Sequence, residues 1–154
     1  MLKFDHVAIQ THDVENTVKW YKEFFNCQEN WALNKFSPLT IKRLPSITQL
    51  VELQVGNFRL HILDIKDDDG IVPNNVLQYQ HFCIEVLTLN ELEDLRSRYC
   101  EIYQSGRYEF RKNEPATDLV IDDDGMTSFY CYDINGLEFE ITYKPSINSN
   151  NEFK

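Results

Sequence analysis

The sequence predicts an α+β chain built from two copies of one unit, each a strand, a helix and then several strands. Two strand-like runs, Phe4-Asp5-His6-Val7-Ala8-Ile9-Gln10 and Gln80-His81-Phe82-Cys83-Ile84-Glu85-Val86, each carry a histidine near the start and each lead into a helical pattern. Matching residues then recur at a nearly constant interval. His81 follows His6 by 75 residues (81 − 6), Gly136 follows Gly56 by 80 (136 − 56) and Glu140 follows His61 by 79 (140 − 61). A repeat of this period, made of strands and one helix, indicates two equivalent modules about a pseudo-two-fold axis, with shared sites between them.

The elements follow in order. In the first run, alternation puts Phe4, His6, Ala8 and Gln10 on one face and Asp5, Val7 and Ile9 on the other. Asp13 then caps a helix whose apolar stripe is Val14, Val18, Tyr21 and Phe25, with Asn26 as the stop. Residues 31–40 are mixed and contain Pro38, and Pro45 makes a further break, so a short strand or loop is expected there. Ile47 to Val55 reads as a strand, Gly56-Asn57 as a hairpin turn and Phe58 to Ile65 as the returning strand. A polar connection from Lys66 to Gln78 leads to the second unit. Its helix is expected to start at an Asn90 cap, with Glu93 closing a capping box and Leu92, Leu95 and Tyr99 buried. Strands are expected within 103–112, at 119–122, at 127–132 and at 137–143, the last two joined by a turn at Asp133-Ile134-Asn135-Gly136.

With 154 residues, 42% of them hydrophobic and 13% aromatic, the chain is long enough for one domain with a real core. That domain spans 1–146, its modules cover about 3–66 and 79–144, and the Asn- and Ser-rich stretch 147–154 is expected to fray. The apolar runs are only a few residues long and no signal-like segment precedes the first strand, so the expected location is the cytoplasm. Cys27, Cys83, Cys100 and Cys131 lie far apart without a Cys-x-x-Cys spacing, which predicts reduced, mostly buried thiols rather than a disulfide framework or a zinc knuckle. A net charge of −10 excludes nucleic acid and an anionic membrane as natural partners. The acidic runs 67–69 and 122–124 each precede a glycine and lack the alternating spacing of a calcium loop, so they read as solvated turns.

The opening Phe4-Asp5-His6-Val7-Ala8-Ile9 with Asp13, the Trp20-Tyr21-x-x-Phe24-Phe25 helix, His81-x-x-Ile84-Glu85-Val86 and the stretch from Phe129 through Asn135-Gly136-Leu137-Glu138-Phe139-Glu140 together resemble the vicinal oxygen chelate superfamily, also called the glyoxalase, bleomycin-resistance and dioxygenase fold. The resemblance runs over residues 3 to 144. It implies two βαβββ modules forming a curved mixed sheet around a central metal and substrate cleft. It also implies a divalent metal ion (Ni, Zn, Fe(II), Mn or Co) held at His6, His61, His81 and Glu140, of which His6, His81 and Glu140 alone make a two-histidine, one-carboxylate set. His61 departs from the Glu or Gln common in that slot; it can ligate or stand unbound as a base.

The implied activity is that of a metal-dependent, glyoxalase-like lyase or isomerase acting on a small substrate with vicinal oxygens through a stabilised enediolate, with Glu140 or His61 as base. Arg59, on the face of His61, is the candidate for a substrate carboxylate, and Glu138 and Tyr130 are candidates for further substrate contacts. Tyr132, Trp31 and Phe36 are candidates for an aromatic wall, Cys83 for small-core packing, and His12 for the surface. Two other functions share the pattern: an Fe(II) extradiol-type dioxygenase of a catecholic substrate, and an antibiotic-sequestering binder that needs no ligand set. A small-molecule substrate and a symmetric homodimer complete the expectation.

Overall fold

The computed structural model describes residues 5–66, 81–122 and 125–145, and divides into one unit over residues 1–78 and a second over 79–154. The first unit runs β1 (His6–Thr11), α1 (Val14–Phe25), β2 (Gln28–Leu33), α2 (Pro38–Arg43), β3 (Ile47–Val55) and β4 (Phe58–Ile65). The second runs β5 (Phe82–Val86), α3 (Leu89–Gln104), β6 (Val120–Ile121), β7 (Thr127–Tyr132) and β8 (Glu138–Tyr143).

Each unit is one four-stranded mixed sheet, with strand order β1-β4-β3-β2 in the first and β5-β8-β7-β6 in the second. In both, the first strand lies parallel to the last and the remaining pairs are antiparallel. The registers match as well. Ala8 stands opposite His61 and Cys83 opposite Glu140; across the hairpins, Glu52 faces His61 and Tyr130 faces Glu140. The repeat read from spacing is thus a repeat of topology and register.

In the first unit the helix covers one face of the sheet. Asp13 accepts a hydrogen bond from the Asn16 amide at 3.1 Å, and Asn26 ends α1 in the left-handed conformation (φ 50°). Val14, Val18, Trp20, Tyr21 and Phe24 are buried, over Val51, Leu53, Val55, Leu60 and Ile62 of β3 and β4. Phe25, expected in the stripe, is only half-buried, because the buried arc is centred on Thr17, Trp20, Tyr21 and Phe24 and leaves Phe25 at its edge. On β1, Ile9 and Thr11 are buried while His6, Ala8 and Gln10 are exposed, as alternation requires. The sheet face away from α1 is therefore the polar one.

Three expectations are corrected. The region expected to be a strand or loop holds β2 and also a short helix: Pro38 sits in the first turn of α2 behind a Ser37 cap, where its missing amide hydrogen is no loss. Helix α3 is capped by Thr88, not Asn90, with Glu91 closing the box, since Thr88 still has the extended backbone that leaves β5. No strand forms within 103–112. The helix runs on to Gln104, and Tyr103 and Phe110 pack with Tyr99 in an aromatic cluster whose rings the sequence pattern mimicked as alternation. Leu95 is half-buried, whereas Leu92, Tyr99 and Ile102 carry the buried side.

The turn before β8 is as expected: wholly buried Asp133 accepts from the amides of Asn135 and Leu137 at 2.9 and 2.8 Å, and Gly136 takes φ 83°. The Asp122 carbonyl accepts from the Gly125 amide at 2.8 Å. Residues 67–69, 123–124 and the stretch 147–154 expected to fray lie outside the described residues. Among the described residues, no helix is long and apolar enough to cross a membrane.

The cap assignment is checked by urea denaturation: Thr88→Ala should lower stability by about 1 kcal/mol, whereas Asn90→Ala should stay within about 0.5 kcal/mol of the parent.

Candidate functional site

The polar face of the first sheet carries the residues that bear chemistry. His6 and Arg59 are register partners on β1 and β4, and His61, two residues further along β4, brings its ring onto that of His6: the centroids are 3.8 Å apart and the planes 17° from parallel. The Nδ1 of His6 lies 2.8 Å from Asp5 Oδ2. The Nε2 of His61 lies 2.7 Å from Glu52 Oε2. Trp31 on β2 presents an edge to His61 at 5.3 Å between centroids.

Glu52 is the centre of this network, and sequence reasoning missed it. Its side chain is only 3% exposed. Asn30 Nδ2 donates to its other oxygen at 2.8 Å and Arg59 approaches at 3.5 Å. Burial pushes the Glu52 carboxyl up, but the hydrogen bonds from Asn30 and His61 and the Arg59 charge outweigh it and hold the group below its ordinary range. The signal was present in the hairpin. Counting back from the two-residue turn Gly56-Asn57, Val55 opposes Phe58, so Glu52 opposes His61.

Arg59 shares the face of His61, as expected, and is held by Asp5 and Glu52. The Asp5 carboxyl lies below its ordinary value through the His6 hydrogen bond and the Arg59 charge, against some loss of hydration. His12 is exposed, as expected, and its Nδ1 meets the Ile65 carbonyl at 2.7 Å. Phe36 is half-buried in the link between β2 and α2.

In the second unit the equivalent positions hold a different set. His81 Nε2 lies 3.2 Å from Glu140 Oε2, and Tyr130 meets the His81 ring edge-on at 5.8 Å. Glu138 stands on the face of Glu140, opposite Tyr132, whose ring lies under Lys112 Nζ at 4.1 Å. Cys83 is exposed on this face, a correction to the expectation of core packing: its register partner is Glu140, and the core side of β5 belongs to Phe82 and Ile84. Burial of the sulfur, then the Glu140 charge, pushes the Cys83 thiol up to about 11. Burial and Glu140 push the Tyr130 phenol up as well. All four cysteines are free, but only Cys131 is fully buried.

The four expected ligands thus appear as two pairs, His6 with His61 and His81 with Glu140, one pair in each unit. Within neither unit do three or more His, Cys, Asp or Glu side chains, among the described residues, gather to hold a metal ion. The donor chemistry itself, neutral imidazole and carboxylate, suits a divalent first-row ion.

No protein-family model and no curated protein matches the chain. Solved structures do. The lactoylglutathione lyase of Agrobacterium tumefaciens is 16% identical, with a TM-score of 0.57 over 92% of this chain and 92% of that one. A glyoxylase/bleomycin resistance protein/dioxygenase domain from Frankia is 12% identical, with a TM-score of 0.68 over 95% and 94%. The fosfomycin resistance protein FosX of Listeria monocytogenes, in complex with Mn(II) and sulfate, is 14% identical, with a TM-score of 0.58 over 95% of each.

Two outcomes follow from the shifted groups. Because Glu52 is held below its ordinary value, the stability it contributes is complete above the usual carboxylate range of about 4.3 and is lost as pH falls through its lower folded value. Glu52→Gln should therefore flatten the fall in unfolding free energy between roughly pH 5 and pH 3. The Cys83 thiol, although exposed, should alkylate with an apparent midpoint near 11. Glu140→Gln should lower that midpoint without restoring the ordinary value, since burial of the sulfur remains; iodoacetamide kinetics with mass mapping of Cys83 provides the measurement.

Proposed function

We propose, from the premise that this chain carries the vicinal oxygen chelate fold, that it is a divalent-metal-dependent enzyme, a glyoxalase-like lyase or isomerase acting on a small substrate with two neighbouring oxygens. The observation that carries this reading is the placing of imidazole and carboxylate donors at matching register positions on both repeated units, where Ala8 faces His61 and Cys83 faces Glu140.

His6, His81 and Glu140 are the residues that would hold the ion, with His61 beside His6. When bound, the ion supplies Lewis-acid stabilisation of negative charge on the substrate. The chain's own groups do the rest. Glu140 or His61 accepts the substrate proton, each being an acceptor at a defined oxygen or nitrogen. Arg59 offers a guanidinium for a substrate carboxylate, its orientation fixed by Asp5 and Glu52. Tyr130, whose phenol stays protonated, donates a hydrogen bond, and Glu138 accepts one. The lactoylglutathione lyase and the Mn(II)-bound fosfomycin resistance protein support a metal and a small substrate for the same architecture. A homodimer belongs to the same reading.

A second reading, an Fe(II) extradiol-type dioxygenase, draws on the aromatic edges at the histidines, Trp31 on His61 and Tyr130 on His81, which suit a phenolic ring. Oxygen uptake with catechols after anaerobic Fe(II) loading separates it from the first.

Metal-stripped protein titrated with Ni, Co, Zn, Mn or Fe(II) should take up one ion per chain and melt about 5–10 °C higher. His81→Ala and Glu140→Gln should abolish the shift. Absence of stoichiometric metal together with an unchanged melting temperature for all five ions would remove the proposal.

A further inference from the structure

We infer that His61 stands outside the coordination sphere of the proposed ion, and that Glu52 is the positioning residue that fixes it there as a proton acceptor at Nδ1. This rests on the metal-dependent reading above and assigns His61 a single role within it.

The geometry of the two stacked rings comes first. A metal bound to imidazole lies in the ring plane, along the nitrogen lone pair, at about 2.0–2.1 Å. With the His6 and His61 centroids 3.8 Å apart and their planes only 17° from parallel, the lone pairs of the two rings run side by side and do not converge on one point. One ring can hold the ion; both cannot.

The hydrogen-bond partners decide which. His6 Nδ1 is paired with exposed Asp5, whose side chain is 65% exposed. The His6 side chain is itself 38% exposed, so its ring can turn Nε2 to an ion without uncovering a buried charge. His61 instead gives its Nε2 to Glu52, a carboxylate almost wholly buried and clamped on its other oxygen by Asn30. Swinging His61 out to a ligating position would leave that buried charge short of a donor.

The same contact sets the tautomer. Ionised Glu52 is an acceptor only, so the hydrogen between it and His61 sits on Nε2, and Nδ1 keeps the lone pair. A substrate proton taken at Nδ1 forms the N–H bond there, leaves its electron pair on the substrate, and puts the imidazolium charge against Glu52. Carboxylate, imidazole and reacting proton then stand in the order required of an oriented base. Arg59, held to the same Glu52 oxygen, keeps the carboxylate from turning.

Two measurements on the whole chain test this, and they fail independently. In metal-free protein labelled with 15N-histidine, long-range proton–nitrogen spectra should show His61 as the Nε2–H tautomer, with the Nδ1–H form entering in Glu52→Gln. A wild-type His61 protonated at Nδ1, or spectra unchanged by Glu52→Gln, would overturn the positioning role. In Co(II) titration, His61→Ala should bind within about threefold of wild type while His6→Ala loses about 100-fold or more. His61→Gln, whose amide can still donate to Glu52, serves if the alanine variant does not fold. Equal losses from His6 and His61 variants would overturn the inference and leave the metal reading standing. Should wild type take up no Co(II), the metal reading falls, and the tautomer spectra still decide whether Glu52 positions His61.

Discussion

The parallel pairing of first strand with last strand in each unit is the constraint from which the rest follows. Two parallel strands cannot be joined by a tight turn, so the chain between them must travel, through α1, β2, α2 and β3 in the first unit and α3, β6 and β7 in the second. The pairing brings residue 8 beside residue 61 and residue 83 beside residue 140. The helix then covers one sheet face with Trp20, Tyr21 and Phe24 in the first unit and Leu92, Tyr99 and Ile102 in the second. What is left on the other face is a short row of polar side chains from three neighbouring strands, held at fixed spacing by backbone hydrogen bonds rather than by loops.

That rigidity explains why a carboxylate as buried as Glu52 is tolerated. An isolated buried charge is costly, and the cost falls only when donors are already in place. Asn30, His61 and Arg59 are in place because each sits on a strand in register with, or next to, β3. The network is also local to the hairpin and its neighbour, so it forms with the sheet itself. A site assembled from mobile loops would have to order those donors each time a ligand arrived; this one is ordered by folding.

Most of the fold was legible in the sequence because period-2 alternation, the Gly56-Asn57 and Asn135-Gly136 turns and the Asp13 and Asn26 helix ends are local signals, and β3, β4, β7 and α1 lie where those signals put them. The failures came where two local signals competed. Thr88-x-x-Glu91 and Asn90-x-x-Glu93 both read as capping boxes, and only the backbone direction leaving β5 chooses between them. Tyr103 and Phe110 read as a strand because aromatic rings favour strands, yet here they serve the underside of a helix. At the site, His6, His61, His81 and Glu140 were visible as residue types at a repeat spacing. Glu52 was not, since one acid in a strand is unremarkable until cross-strand register is counted, and Cys83 was misplaced because a cysteine carries no mark of which face it takes.

The two units, alike in topology, differ in what they place at the same points of that lattice. Where β4 has His61 with Glu52 across the hairpin, β8 has Glu140 with Tyr130. One unit presents an imidazole backed by a buried acid; the other presents an acid backed by a phenol, and there burial and then the Glu140 charge raise both Tyr130 and Cys83 and keep them protonated. The pairs therefore have opposite polarity: the first is an imidazole set against a buried carboxylate, the second a carboxylate set beside O–H and S–H donors. Duplication alone would have placed the same pair of groups in both units. Divergence at two register positions, 52 against 130 and 61 against 140, is enough to give the pairs opposite character, while both units keep the same strand order and the same parallel and antiparallel pairings.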